Sequence, residues 1–128
     1  MDLSADGETT LVPFVCPDCD GPLSVSVGSE GDFLSFRCAV GHRYSLASLV
    51  EGKEERLEHV AWTMYRAVDE LARLLDSVLG LDERYAPREA WDGAADRVQT
   101  LRQQLRRLRA IIEANEPVRL AEPTGRQQ

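Results

Sequence analysis

The sequence predicts an α+β fold, in which a small zinc-ribbon-like antiparallel β module is followed by a long antiparallel α-helical hairpin. Three observations carry this expectation. Cys16-Pro17-Asp18-Cys19 and Cys38-Ala39-Val40-Gly41-His42 are two ligand pairs separated by 18 residues. Short β-prone runs surround them, punctuated by turn residues. Beyond residue 50, two apolar stripes advance by steps of three and four, the spacing that keeps side chains on one face of a helix.

The ligand pairs define the first half of the chain. Cys-x-x-Cys sets two sulfurs on one tight turn, and a second pair brought back by a hairpin completes a tetrahedron. Pro17 and Gly21 are expected to supply the fixed and permissive backbone angles of the first knuckle, and Gly41 to do the same beside His42. Cys16, Cys19, Cys38 and His42 are therefore the predicted ligands of one structural Zn2+. Four protein ligands leave no position for an activated water, so the site is expected to be structural and not hydrolytic. A redox role for C-P-D-C would need a helix starting at the motif to lower a thiol pKa, and Asp20-Gly21-Pro22 forbids an immediate helix. The odd count of 3 cysteines argues against a disulfide framework and is satisfied when all three thiolates bind one ion.

Each element then follows in order. Residues 1–10 are polar and acidic and read as a disordered lead-in. Strands are expected at 11–15, 23–27 and 33–37, with turns at Asp20-Gly21-Pro22 and over 28–32. The knuckles follow the first and third strands, and the metal module occupies 11–50. Ser45 is a candidate N-cap for a helical turn through Leu46, Leu49 and Val50, after which Gly52 either ends that turn or is carried inside one longer helix. The first long stripe is Leu57, Ala61, Met64, Val68, Leu71, Leu75 and Val78, ending near Gly80. A loop follows over 82–87, with Pro87 suited to the first turn of the next helix. The second stripe is Trp91, Ala94, Val98, Leu101, Leu105, Leu108 and Ile112. The hairpin thus fills 51–115, and the prolines at 117 and 123 mark a flexible tail over 116–128.

Charge supports the pairing of the helices. Residues 51–83 carry 9 acidic side chains, whereas 84–109 carry 7 arginines against Glu89, Asp92 and Asp96. Exposed pairs contribute only about 0.2–1 kcal/mol each, so the apolar stripes must supply most of the stability. Two helices alone bury one side of each stripe, which predicts self-association, most simply a homodimer forming a four-helix bundle. The arginines Arg102, Arg106, Arg107 and Arg109 raise the alternative of a small zinc-ribbon regulator associated with nucleic acid. Against it, the first 44 residues hold only Arg37 and Arg43 as basic side chains, and the chain carries a net charge of −7. No apolar run reaches the roughly 20 residues needed to cross a bilayer, and the acidic N-terminus lacks a secretory pattern, so a cytoplasmic protein is expected.

Cys16-Pro17-Asp18-Cys19-Asp20-Gly21-Pro22-Leu23, then Phe36-Arg37-Cys38-Ala39-Val40-Gly41-His42-Arg43-Tyr44-Ser45, then Ala61-Trp62-Thr63-Met64-Tyr65-Arg66-Ala67 together resemble a C-terminal extension found in some bacterial chemotaxis methylesterase-like proteins. The resemblance covers residues 13–75. It implies a metal-binding role for the same three cysteines and one histidine, and a link to chemosensory or two-component signalling. The esterase domain of that family has no counterpart in this sequence, so demethylation is not implied.

No nucleophile constellation and no phosphate-cradling glycine loop is visible. His59, off the apolar stripe, reads as a solvated helix residue. Trp62, Tyr65 and Arg66 cluster at helical spacing, and either seal the ribbon against the helix or present a docking surface to a protein partner. The expected function is that of a non-catalytic, zinc-stapled interaction or regulatory module.

Overall fold

In the computed structural model, which describes residues 9–28 and 33–120, the β-prone runs pair as an antiparallel meander. Strands β1 (Thr10–Val15), β2 (Pro22–Val27), β3 (Leu34–Cys38) and β4 (Arg43–Tyr44) lie in the order β1-β2-β3-β4. Alternation sets the sheet's two faces. Leu23 and Val25 turn inward opposite Cys38 and Phe36, while Ser24 between them donates its hydroxyl proton to the Arg37 carbonyl on the outer side. Val12, Leu23, Val25, Phe36 and Leu49 form the apolar core together with Cys16 and Cys38. The register of β1 shifts between Leu11 and Val15, which bends the strand as it enters the first knuckle.

The three expected strands are present within a residue or so of their expected limits. The short β4 was not among them. It pairs Tyr44 with Phe36 and Arg43 with Arg37, and two residues are too few to show a period in sequence. Within the lead-in expected over 1–10, Thr10 already belongs to β1; residues 1–8, 29–32 and 121–128 lie outside the described residues.

Helix α1 runs from Leu46 to Leu79. Ser45 caps it: its hydroxyl accepts the Ser48 amide proton at 3.1 Å, and the Ser48 hydroxyl accepts the Ser45 amide proton at 2.8 Å. This is the reciprocal arrangement of a capping box, with Ser in the place usually taken by Glu. Gly52 is carried inside the helix rather than ending it. A Cβ at that position would stand 3.0 Å from Cγ of Pro17, so the missing side chain is what lets the first knuckle lie against the helix. The chain divides into two compact units between Arg56 and Leu57. The first holds the sheet and the start of α1; the second is Leu57–Glu116.

In the second unit, α1 ends at Leu79, as the glycine at 80 predicts. A 3-10 turn at Arg88–Trp91 then precedes α2, Ala94–Ala114. Pro87 therefore opens this turn and not α2. Trp91 falls outside α2 because Gly93, at φ +82°, breaks the helical path between them. Ala94, Val98 and Leu101 are buried, and Leu105, Leu108 and Ile112 half-buried, as the second stripe requires.

The covered face of α1 differs from the expected stripe. Ala72 is 3% exposed, with Ala61, Tyr65, Val68 and Leu75 half-buried around it, whereas Leu57 and Met64 are each 55% exposed and Leu71 is 38% exposed. Apolar side chains occupy roughly half of the circumference of α1, so a three-four period fits more than one face. Polar contacts to α2 choose among them. Arg102 Nη2 lies 2.6 Å from the Asp76 carboxylate, and Arg109 is held above its ordinary pKa first by Glu113 and then by the Tyr65 hydroxyl. Pairing Asp76, late in α1, with Arg102 and the earlier Tyr65 with the later Arg109 makes the hairpin antiparallel. Among the described residues, no helix is long and apolar enough to cross a membrane.

Candidate metal centre

Two hairpin-like knuckles converge on one point. In the first, the Cys16 amide donates to the Gly21 carbonyl at 2.7 Å and the Asp20 amide to the Cys16 carbonyl at 2.9 Å, closing a loop that swings Cys16 and Cys19 to the same side. The left-handed residue that turns this loop is Asp20, at φ +58°, and not Gly21 as expected. An aspartate tolerates that conformation better than most side chains. Gly21 serves a different need. A Cβ there would stand 3.3 Å from the Cys19 sulfur.

The second knuckle repeats the design between β3 and β4. The Gly41 amide donates to the Cys38 carbonyl at 3.1 Å, the Cys38 amide to the His42 carbonyl at 3.1 Å, and the His42 amide to the Cys38 sulfur at 3.3 Å. Gly41 adopts φ +106°, a conformation that side chains rarely accept, in agreement with its expected role.

The ligand atoms of Cys16, Cys19, Cys38 and His42 all lie within 4.8 Å of one another. His42 turns Nδ1 inward, 3.3 Å from the Cys38 sulfur and 3.6 Å from that of Cys16. A tetrahedron with metal–sulfur bonds of about 2.3 Å has edges near 3.8 Å, so this group could hold one ion with little movement. Cys16 and Cys38 are buried, His42 is half-buried and Cys19 is exposed, which leaves a path for the ion from solvent. Among the described residues, no other group of three or more His, Cys, Asp or Glu side chains is placed to do this, and His59 stands exposed on α1 apart from it.

The surroundings lower the pKa of two of the thiols. Burial pushes the Cys38 thiol up, but the amides of His42, Val40 and Gly41 and the Cys19 thiol outweigh it and bring the value down to about 7. Burial likewise raises Cys16, and the Tyr44 hydroxyl with the amides of Asp18 and Cys19 turns the balance downward. At Cys19 the Gly21 amide lowers the value; burial and the neighbouring Cys16 and Cys38 prevail and leave it raised. Three sulfurs crowded together cannot all ionise easily without a cation among them.

Four residues outside the ligand set support it, and sequence reasoning assigned no such role to any of them. Tyr44 places its hydroxyl 3.2 Å from the Cys16 sulfur and donates to the Asp18 carboxylate. Burial, Asp18 and Cys16 all raise the tyrosine pKa, so the hydroxyl keeps its proton. Arg56 reaches back from α1 to donate to the Pro17 carbonyl at 3.2 Å and to the Asp20 carboxylate at 3.0 Å. One signal was available for Tyr44: it lies two residues after the candidate ligand His42. Arg56, 36 positions from Asp20, gave none.

Hydrogen bonds to ligand atoms orient them and tune their basicity, and losing one costs 10–100-fold in metal affinity. Tyr44→Phe is therefore expected to weaken divalent-metal affinity about tenfold while the sheet stays folded. Competition against a chromophoric chelator measures this, and an unchanged affinity would reduce Tyr44 to packing.

The partner residues expected from sequence are only partly brought together. Trp62 and Tyr65 meet edge-to-face with ring centroids 5.6 Å apart, while the Arg66 guanidinium turns to the Thr63 hydroxyl at 3.3 Å. Comparison of this chain with protein-family models, with curated proteins and with solved structures yields no match.

Proposed function

We infer that the protein is a non-catalytic interaction module whose first unit is stapled by one structural Zn2+ on Cys16, Cys19, Cys38 and His42. The observation that carries this is the convergence of four protein ligand atoms within 4.8 Å. Three thiolates and one imidazole are the soft and borderline donors that favour zinc over magnesium or calcium. An ion held by four side chains has no open coordination position, so its contribution is to folding. Recognition is then the remaining chemistry, with Trp62, Tyr65 and Arg66 of α1 as residue types common at binding hot spots. The resemblance over residues 13–75 favours a bacterial chemosensory or two-component partner. Nucleic acid is disfavoured by the net charge of −7 and by the engagement of Arg102 and Arg109 with Asp76 and Glu113.

Protein purified without chelator is expected to contain one zinc per chain. Replacement by Co2+ should give the absorption bands of a tetrahedral site with three sulfur ligands. Substantially less than one equivalent, or an octahedral cobalt spectrum, would sink the reading.

A further inference from the structure

Among the described residues, nothing covers one long apolar face of the second unit, and it is on α1. Leu57, Val60, Met64, Leu71 and Leu74 are all large and 38–57% exposed. With Ala67 and Val78 they advance by steps of three, four, three, four, three and four. A strict mean of 3.5 residues is the repeat of two helices that wrap around each other over a long contact. It spans about six turns, or about 32 Å of helix.

The hairpin does not cover this face. α2 lies instead along Ala61, Tyr65, Val68 and Ala72, and its own stripe of Ala94, Val98 and Leu101 is already buried there. Elsewhere α2 presents arginine, glutamine and threonine, with Ile111 its one exposed large apolar side chain, so a second hairpin has no matching stripe on α2 to offer the open seam. It could offer α1. A seam with a heptad repeat is matched by another of the same repeat and length, and among the described residues α1 carries it.

Charge points the same way. The positions flanking the seam are Ala61, Val68 and Leu75 on one side and Arg56, Thr63, Glu70 and Ser77 on the other. Arg56 is already paired with Asp20 at 3.0 Å, which leaves only Glu70 as a flanking charge to meet a second copy. Glu58, Arg66, Asp69, Arg73 and Asp76 are set away from it. Two copies of an acidic protein can therefore approach along this face with little repulsion, whereas a charged partner helix would find nothing to read.

We propose that Leu57, Val60, Met64, Leu71 and Leu74 form the seam of a two-fold homodimer in which α1 packs on α1 of a second copy. This goes beyond the metal reading and does not depend on it, since the seam lies wholly within Leu57–Glu116. Completing the burial of these side chains and their small flanks removes on the order of 1,000 Å² from water for the pair, the size class of a reversible dimer. The expected dissociation constant is micromolar.

Sedimentation equilibrium on the full metal-loaded chain, from low micromolar to sub-millimolar concentration, tests it. The wild type should pass from monomer to dimer across that range. Met64→Lys with Leu71→Lys should remain monomeric throughout with unchanged helical ellipticity, because both positions are exposed in the monomer. Arg73→Gln, exposed on the other side of α1, should dimerise like the wild type. A wild type that stays monomeric overturns the proposal and leaves the seam to a foreign helix. A dimer that survives the double lysine change, in a protein shown to be folded, overturns it by placing the interface elsewhere.

Discussion

Chelation of the metal is expected to unfold the sheet while the helices of the second unit persist. Apparent stabilisation by structural zinc is about 10–16 kcal/mol near neutral pH, more than a small domain's whole stability. The geometry explains the dependence. Two of the seven buried residues of the sheet core, Cys16 and Cys38, belong to the candidate metal centre, and only Val12, Leu23, Val25, Phe36 and Leu49 remain to hold four short strands. The second unit has its own buried contacts through Ala72, Val98 and Leu101 and does not use the ion. Cys38→Ser should reproduce chelation, since a hydroxyl is a poor substitute for a thiolate. Amide spectra give the readout: signals of residues 10–44 should collapse to random-coil positions while those of 94–114 stay dispersed. A sheet that keeps its dispersion without metal would show that the apolar core suffices alone.

Leu101→Asp is expected to unfold the second unit. Leu101 is 1% exposed, and a carboxylate there has no cation within the apolar contact, so the change combines lost burial with an unpaired charge. The cost is about 4–5 kcal/mol or more, enough to exhaust a marginal helical pair. Leu71→Asp provides the contrast. From periodicity alone the two leucines are equivalent, yet Leu71 is 38% exposed on the other face, and its substitution should leave the monomer folded. Thermal melts followed at 222 nm decide between these outcomes. Equal losses from both substitutions would mean that Leu71 also packs against α2.

Much of the fold was legible because the chain repeats simple periods. The ligand spacing, the turn residues between strands and the three-four stripes each reflect one physical requirement, and the four residues that cluster as the candidate metal centre were readable from the spacing. What stayed hidden depended on choices that a period does not encode. The rotation of α1 against α2 was one, because apolar side chains over half of its surface fit several faces, and the Asp76–Arg102 contact selects among them. The break at Gly93 was another: a glycine three residues after Ala90 could have been carried inside the helix, as Gly52 is inside α1. The support of the metal centre by Tyr44 and Arg56 was a third, since it joins residues 26 and 36 positions from Asp18 and Asp20.

Gly52 inverts the usual advice for strengthening a helix. A propensity scale ranks Gly→Ala in a helix interior among the safest improvements, with a gain of about 1 kcal/mol. Here the ring of Pro17 stands close to where the new methyl group would go, with Cγ 3.0 Å from it. The weakest helix former in α1 is thus also a notch that faces a neighbour, and a sequence optimised for helicity would press the Pro17 ring aside by a few tenths of an ångström.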